Sequence, residues 1–236
     1  MQLLKLKLLQ LLSLRKKRSK QDLSSKNPPW LITAWRVFSL RYLFGMTAIR
    51  LIVGLGNPGR EYEDNRHNVG FWWVNELARS QNVSFKSERK FHGMVARGHL
   101  HNLEVRLLLP QTFMNASGRS VSALSQFYDI SPEEILVVHD DLDLPPGRAK
   151  LKMGGGHGGH NGLKDIIAHL GSKDFWRLRI GIGHPGERNE VSNFVLNAPR
   201  KEEQVLIEQA MQCAQDIAPL AIEGKLEAAM LKLHST

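Results

Sequence analysis

Histidine, aspartate and asparagine side chains border the apolar segments of this chain at positions suited to acid–base chemistry. His67 lies in a polar stretch, residues 65–68, and the aromatic residues Phe71, Trp72 and Trp73 follow it. We expect these rings to form an apolar wall that keeps the imidazole uncharged, as a general base near pH 7 must be. His67 is therefore the candidate base for removing a proton from water.

An acidic segment follows a second apolar run. Residues 135–138 are Ile, Leu, Val and Val, and residues 139–143 are His, Asp, Asp, Leu and Asp. Side chains alternate along a strand, so Asp140 and Asp141 are expected to point to opposite faces of the sheet. One aspartate could orient a catalytic histidine, two or three could hold Mg²⁺ for phosphodiester cleavage, and the segment could simply be a solvated turn. The residues alone leave these three interpretations open.

A glycine-rich segment indicates a phosphate site. Five of the six residues 154–159 are glycine, and the helix predicted from Asn161 offers backbone N–H groups to an anion. Four basic residues surround this segment in the sequence, namely Lys152, Lys164, Arg177 and Arg179. These features favour binding of a nucleotide or nucleic-acid phosphate. A zinc site at His157 and His160 is disfavoured, because no helix fixes their spacing.

Residues 54–59, with the sequence GLGNPG, match the G-x-G-x-x-G pattern of dinucleotide-binding proteins. A polar segment rather than a helix follows the glycines, so a pyrophosphate would lack the helix N-terminus that such a site needs. We instead expect this segment to display Asn57 at the carboxyl end of a strand. Asn115 and Asn161 are predicted at similar junctions, where an amide can donate and accept hydrogen bonds. Asn115 could also be only a helix cap.

Two other catalytic chemistries are disfavoured. The sequence contains no G-x-S-x-G segment, which would mark a serine nucleophile. Its single cysteine, Cys213, lies in a predicted amphipathic helix and is interpreted as structural. One cysteine also excludes an intramolecular disulfide and suits a reducing compartment. Any hydrolysis is therefore expected to use activated water.

The elements that must position these side chains alternate between strands and helices. Apolar runs predict strands at residues 51–53, 135–138 and 178–182, with a hairpin turn at His101 and Asn102. Helical spacing of apolar residues predicts helices through residues 71–78, 121–127, 161–170 and the last 38 residues. We predict an α/β fold, with a single globular domain whose mixed, largely parallel central sheet is flanked by helices on both faces.

Charge is distributed unevenly along the 236 residues. The net charge is +9, and residues 1–45 contain ten lysines and arginines but only one acid, so the rest of the chain is electrically balanced. We predict a basic N-terminal extension over residues 1–45, disordered or loosely helical, and one domain over residues 46–236. The extension resembles a mitochondrial targeting peptide or a membrane-surface helix. We prefer Met46 as the true start, and we expect no membrane association of residues 46–236.

Six ordered sequence blocks resemble a known family. They are GLGNPG with Tyr62 after it, RHNVG, QTFMNASG, HDDLDLPPG, GGGHGGHNGLKD and RLRIGIGHPG. Over residues 48–235 the chain resembles the bacterial-type peptidyl-tRNA hydrolases. The resemblance implies a monomeric, cytoplasmic enzyme that cleaves the ester between a peptide and the tRNA 3′ ribose, without metal or cofactor. It implies recognition of the peptide, the 3′ CCA end and the acceptor stem. A mitochondrial location is the alternative if the extension is real.

The resemblance also implies roles for individual residues. His67 would be the catalytic base, Asp140 the carboxylate that stabilises its protonated form, and Asn57 the residue that senses a peptide. The implied substrate-binding residues are Tyr62, Asn68, Phe113, Met114, Asn115, His160, Asn161, Lys152 and Arg179. Among these, Tyr62 and Phe113 would line the substrate cleft, and Lys152 with Arg179 would bind the tRNA 5′ phosphate. The family usually has glutamate where this chain has Asp141.

Two other functional classes compete with this one. A Mg²⁺-dependent phosphodiesterase would use Asp140, Asp141 and Asp143 as metal ligands. A noncatalytic RNA-binding module would use only the basic glycine-rich segment. EDTA sensitivity distinguishes the first class, and binding of tRNA without release of peptide distinguishes the second.

Overall fold

A seven-stranded mixed sheet forms the centre of the domain. The computed structural model describes residues 47–100 and 102–235, so the predicted extension over residues 1–45, Met46 and the turn residue His101 lie outside the described residues. The strands are β1 (Leu51–Gly54), β2 (Lys86–Glu88), β3 (Gly93–Leu100), β4 (Leu103–Pro110), β5 (Ile135–Asp141), β6 (Ala149–Met153) and β7 (Trp176–Gly181). Their order is β2-β3-β4-β1-β5-β7-β6. Strands β4, β1, β5 and β7 are parallel, and antiparallel strands complete both edges.

Helices cover both faces of the sheet. They are α1 (Val69–Ser80), α2 (Ser117–Phe127), α3 (Asn161–Leu170), α4 (Val191–Val195), α5 (Lys201–Gln215), α6 (Ala218–Ile222) and α7 (Leu226–His234). Along β5, Leu136 and Val138 pack in one core with residues of α1 and α5 to α7. Ile135 and Val137 pack in the other core with residues of α2 and α3. The predicted α/β fold with a mixed, largely parallel sheet is confirmed.

Two glycines let α1 begin directly against the ends of β1 and β5. A Cβ atom on Gly70 would lie 2.4 Å from the carbonyl oxygen of Val138, and one on Gly54 would lie 2.4 Å from the carbonyl oxygen of Gly70. No side chain fits at either position without moving backbone. Gly54 of the G-x-G-x-x-G segment therefore serves helix packing. This contact brings the turn before α1 to the carboxyl end of β5, where open α/β sheets place their ligands.

In the described part of the chain, no helix has the length and apolar character needed to cross a bilayer.

Candidate active site

A buried pair of ionisable side chains lies where α1 meets β5. His67 belongs to the 3₁₀ turn Arg66–Asn68 that leads into α1, and Asp140 lies near the end of β5. The Nδ1 atom of His67 is 2.9 Å from Oδ1 of Asp140, and the two residues are only 8% and 3% exposed. Because an ionised carboxylate can only accept hydrogen bonds, Nδ1 of His67 carries the hydrogen. Its Nε2 atom then retains a lone pair that can accept a proton.

Electrostatic effects keep Asp140 ionised and make His67 more basic. Burial raises the pKa of Asp140, but the charges and hydrogen bonds of His67 and His160 outweigh burial and hold this pKa well below its usual range. Burial lowers the pKa of His67, yet the charge and hydrogen bond of Asp140 together raise it above the ordinary histidine value. The expectation that an apolar wall keeps His67 uncharged is therefore corrected, because the neighbouring carboxylate has the larger combined effect.

The aromatic residues expected to form that wall have other partners. The indole N–H of Trp72 donates to the carbonyl of Glu63 at 2.7 Å. Trp73 is buried in the core, where its indole N–H donates to the carbonyl of Met211 at 3.2 Å. These two rings anchor α1 to neighbouring segments.

Hydrogen bonds fix the orientation of Asn57 beside this pair. The backbone N–H of Asn57 donates to Oδ1 of Asn68 at 2.8 Å, and the amide nitrogen of Asn68 donates to the carbonyl of Asn57 at 2.9 Å. The backbone N–H of Met114 donates to Oδ1 of Asn57 at 2.7 Å. Since backbone N–H groups only donate, the positions of both amide oxygens are determined. The NH₂ group of Asn57 is left as the donor that its side chain can offer.

His160 makes a second hydrogen bond to Asp140. It is the N-cap of α3, and its Nδ1 atom accepts the backbone N–H groups of Gly162 at 3.1 Å and Leu163 at 3.3 Å. Nδ1 therefore bears the lone pair and Nε2 bears the hydrogen. That Nε2–H group donates to Oδ1 of Asp140 at 3.0 Å. The rings of His160 and His67 are 4.9 Å apart.

Among the described residues, His67, Asp140 and His160 form the one cluster with metal-ligand geometry. One ligand atom from each lies within 4.8 Å of the others. The hydrogen bonds of His160 do not suit a metal, because coordination by its Nε2 would move the hydrogen to Nδ1, which faces two N–H donors. The alternative Mg²⁺ site at Asp140, Asp141 and Asp143 is not assembled, since Asp141 instead binds Arg179.

The predicted phosphate-binding residues lie on one face of the β6–β7 pair. Lys152 is exposed and lies opposite Arg177 in the β-sheet register. Arg179 donates from Nε to Asp141 at 2.6 Å and from Nη2 to the same carboxylate at 3.1 Å. Oδ2 of Asp143 also lies near this guanidinium, 3.8 Å from Nη2 of Arg179. Asp141 thus occupies the edge of the guanidinium that carries Nε and Nη2. Phosphate binding by Lys152 and Arg179 stays a prediction.

The glycine-rich segment differs from the predicted anion site. Arg177 is buried and donates to the carbonyls of Gly155, at 2.6 Å, and Gly156. The guanidinium of Arg177 therefore binds backbone oxygens of the glycine-rich segment and stabilises its path. The N–H groups of Gly162 and Leu163 at the start of α3 are taken by His160. The prediction that these groups bind an anion is wrong.

Comparison with known proteins is decisive for the family. The sequence pattern of the family described as peptidyl-tRNA hydrolase matches residues 51–236. The chain belongs to the peptidyl-tRNA hydrolase family.

Its relatives in this family are similar over almost their whole length. The peptidyl-tRNA hydrolase of Nitrosospira multiformis is 59% identical over 187 residues, which are 79% of this chain and 98% of that protein. The peptidyl-tRNA hydrolase of Methylobacillus flagellatus is 58% identical over 190 residues, 80% of this chain and 98% of that protein. The crystal structure of peptidyl-tRNA hydrolase from Acinetobacter baumannii is 50% identical, with a TM-score of 0.78 over 80% of this chain and 95% of that one. The predicted family and enzyme class are confirmed.

The remaining substrate-binding predictions for this peptidyl-tRNA hydrolase family member concern Tyr62, Phe113, Met114, Asn115 and Asn161. Phe113 is 61% exposed and makes an edge-to-face contact with Tyr62, their ring centres being 6.3 Å apart. Asn115 and Asn161 are both exposed, and neither caps the helix that it precedes or begins. Met114 is buried in the core. The substrate contacts of these residues stay predictions.

Two residues with structural roles at the site were missed by sequence reasoning. Arg66 is buried and donates to three carbonyls at Phe194, Asn197 and Ala198, and to Glu203 at 2.7 Å, so it fastens the turn that carries His67. His139 is buried next to Asp140 and donates from Nδ1 to the carbonyl of Asp140 at 2.6 Å. Arg66 directly precedes His67, and His139 directly precedes Asp140. This adjacency in the sequence is a signal that could have identified both residues.

Proposed function

We propose that this enzyme hydrolyses the ester bond between peptide and tRNA in peptidyl-tRNA, with His67 as the base that activates water. The observation that carries the proposal is the 2.9 Å hydrogen bond between His67 and Asp140. It holds the hydrogen on Nδ1 and leaves Nε2 free to take a proton, the arrangement that a general base requires.

The reaction proceeds through a tetrahedral intermediate. Nε2 of His67 takes a proton from water as the water oxygen attacks the ester carbonyl. The NH₂ group of Asn57 donates to the oxyanion that develops on that carbonyl. The intermediate then collapses by breaking the bond to the ribose 3′ oxygen, which receives the proton from His67. The products are a free peptide and tRNA, and Asp140 stabilises the imidazolium throughout.

No metal ion takes part in this proposal. His67 and His160 both donate a hydrogen bond to Asp140. The N–H groups at the start of α3 favour the tautomer of His160 that carries its hydrogen on Nε2, and this nitrogen then cannot bind a metal. The lone pair on Nε2 of His67 and the amide donor of Asn57 supply the activation that a metal would otherwise provide.

Substrate recognition uses the rim of the site. Lys152 and Arg179 bind phosphate at the acceptor end of the tRNA. The half-buried Tyr62 and the exposed Phe113 line the cleft for the 3′ CCA end and the peptide. These contacts read phosphates and the peptide ester, so the enzyme accepts different tRNAs. The enzyme acts as a monomer, and it recycles tRNA from prematurely released peptidyl-tRNA. The bacterial origin of its relatives supports a cytoplasmic location over the mitochondrial alternative.

One assay tests the proposal against both competing classes. The enzyme is incubated with N-acetylated aminoacyl-tRNA, with and without EDTA, and release of the N-acetyl amino acid is measured. A parallel reaction measures release of the amino acid from aminoacyl-tRNA whose amino group is free. We expect rapid release that EDTA does not reduce, and much slower release from the free aminoacyl form. Loss of activity in EDTA would support the Mg²⁺ enzyme, and binding of tRNA without release would support the RNA-binding module.

A further inference from the structure

The N-cap of α3 connects the backbone of that helix to the catalytic pair. His160 receives two backbone N–H groups on Nδ1 and therefore keeps its hydrogen on Nε2. A serine, threonine, aspartate or asparagine would be the usual N-cap. A histidine at this position adds a donor on the far side of the ring, where a small N-cap side chain does not extend.

The Nε2–H group of His160 and the Nδ1–H group of His67 donate to the same atom. Oδ1 of Asp140 accepts Nε2–H of His160 at 3.0 Å and Nδ1–H of His67 at 2.9 Å. Asp140 is 3% exposed, so these bonds lie in a medium where they are strong and where loss of one leaves the carboxylate poorly solvated. The orientation of Asp140 toward His67 therefore depends on a hydrogen bond from a different element.

We propose that His160 is a positioning residue, which uses the cap of α3 to hold the Asp140 carboxylate in place against His67 and to share its negative charge. The inference rests on the proposed role of His67 as the base. The resemblance placed His160 among the substrate-binding residues, and the geometry gives its two nitrogens to the protein itself. A ring whose nitrogens are both engaged in this way has no hydrogen-bonding atom left for a substrate.

The charges around His67 determine what loss of His160 does to its proton affinity. The ionisable groups against His67 are Asp140 on β5 and His160 before α3. The guanidinium of Arg66, on the same turn, is directed to Glu203 and to backbone carbonyls. His139 lies beyond His160, with ring centres 5.0 Å apart. With the His160 donor removed, Asp140 binds the imidazolium of His67 more strongly, and His67 holds its proton to higher pH.

The test replaces His160 by serine, which keeps an N-cap oxygen for α3 but does not reach Asp140. The matched control is His157→Ser in the exposed glycine-rich segment, because Nδ1 of His157 accepts the N–H of Gly159 at 3.1 Å in the same local manner. We expect His160→Ser to lower kcat by about 10- to 100-fold, with a smaller change in KM. The acidic limb of its kcat/KM profile moves to higher pH, while His157→Ser behaves as the wild type.

Three outcomes would overturn the inference. A defect of His160→Ser confined to KM, with an unmoved acidic limb, would make His160 a substrate contact, and unchanged values of both kcat and KM would remove its role altogether. Histidine ¹⁵N NMR of the wild-type enzyme at pH 8 adds a direct readout, with the His160 signal assigned from its absence in His160→Ser. Hydrogen on Nε2 is expected, and hydrogen on Nδ1 contradicts the proposal. An active His67→Ala enzyme would instead refute the proposed function itself.

Discussion

The side-chain oxygen of Asn57 lies 2.7 Å from the backbone nitrogen of Met114, so the segment after β1 is tied to the segment before α2. This bond uses the acceptor half of the amide for structure. The donor half is the part available to a substrate carbonyl. Asn57 therefore links two loops and presents one N–H donor group, and these two roles can be separated by mutation.

Substitution of Asn57 by aspartate separates them. Aspartate retains the oxygen that accepts the N–H of Met114 but loses the donor, so the fold is retained while support of the oxyanion is lost. We expect kcat to fall by about 10²- to 10³-fold, the usual effect of removing one oxyanion donor. Steady-state kinetics and the thermal unfolding midpoint measure the two roles. Asn57→Asp with nearly full kcat would show that the amide NH₂ does not contact the reacting carbonyl.

Replacement of His67 by alanine removes the base and leaves the tRNA-binding residues in place. We expect kcat to fall by about 10²- to 10⁴-fold, the range for loss of a general base. Binding of uncharged tRNA, measured by filter retention, is expected to stay within about twofold of the wild type, since Lys152 and Arg179 are unchanged. Hydrolysis at a wild-type rate would reject the role of His67.

The pH dependence of the reaction reports the charge of Asp140. The carboxylate raises the pKa of His67, and the base acts only when unprotonated, so the acidic limb of kcat/KM is expected above the ordinary histidine value near pH 6.5. Asp140→Asn removes the charge, so it lowers the pKa of His67 and moves this limb to lower pH, together with a lower plateau rate. A limb that stays in place in Asp140→Asn would mean that another group controls it.

Lys152 and Arg179 are expected to affect tRNA binding more than chemistry. Each alanine variant should raise KM for peptidyl-tRNA more than it lowers kcat, and a rise in salt should weaken wild-type binding more than binding by either variant. The control substrate is a short N-acetyl amino acid ester without tRNA. If both variants impair this ester as strongly as peptidyl-tRNA, their role lies in the structure of the site and not in phosphate binding.

Local sequence patterns predicted the elements, and the resemblance to the family implied His67 and Asp140 as the central pair of the site. Ser131 is followed by a proline and two glutamates, a pattern typical of a helix start, and the structure shows a capping box in which the N–H of Ser131 donates to Glu134 at 2.9 Å. Apolar runs located β1 and β5, whose carboxyl ends then had to meet at one edge of the sheet. The proximity of His67 and Asp140 follows from that topology together with the position of the turn before α1.

Contacts that depend on long-range register could not be predicted in the same way. Asp141 meets Arg179 only because β5 and β7 pair with His139 opposite Arg179, a register that neither segment encodes alone. The ion pair between Asp141 and Arg179 was therefore not predicted from the sequence, and the structure shows it. The same holds for His160, because its two bonds to α3 and its bond to Asp140 require the exact path of the glycine-rich segment.

His139 is predicted to make the folded protein sensitive to acid. Burial, followed by the proximity of His160, lowers its pKa to about 3. An unfolded chain binds a proton at this histidine near pH 6.5, whereas the folded protein binds it only near pH 3, so the unfolded state holds more protons between these values. The free energy of unfolding therefore falls as the pH is lowered through this window, by up to about 1.4 kcal/mol per pH unit from this one residue.

His139→Phe removes this contribution while a ring of similar size fills the site. Urea unfolding at pH 7.5 and pH 5 is expected to show a smaller loss of stability for the variant than for the wild type. Asp140, whose pKa is lowered in the folded state, adds a loss at still lower pH that both proteins share, because its stabilisation disappears as the pH falls through its folded pKa. An equal loss of stability between pH 7.5 and pH 5 in both proteins would show that His139 takes up its proton in the folded state as readily as in the unfolded chain.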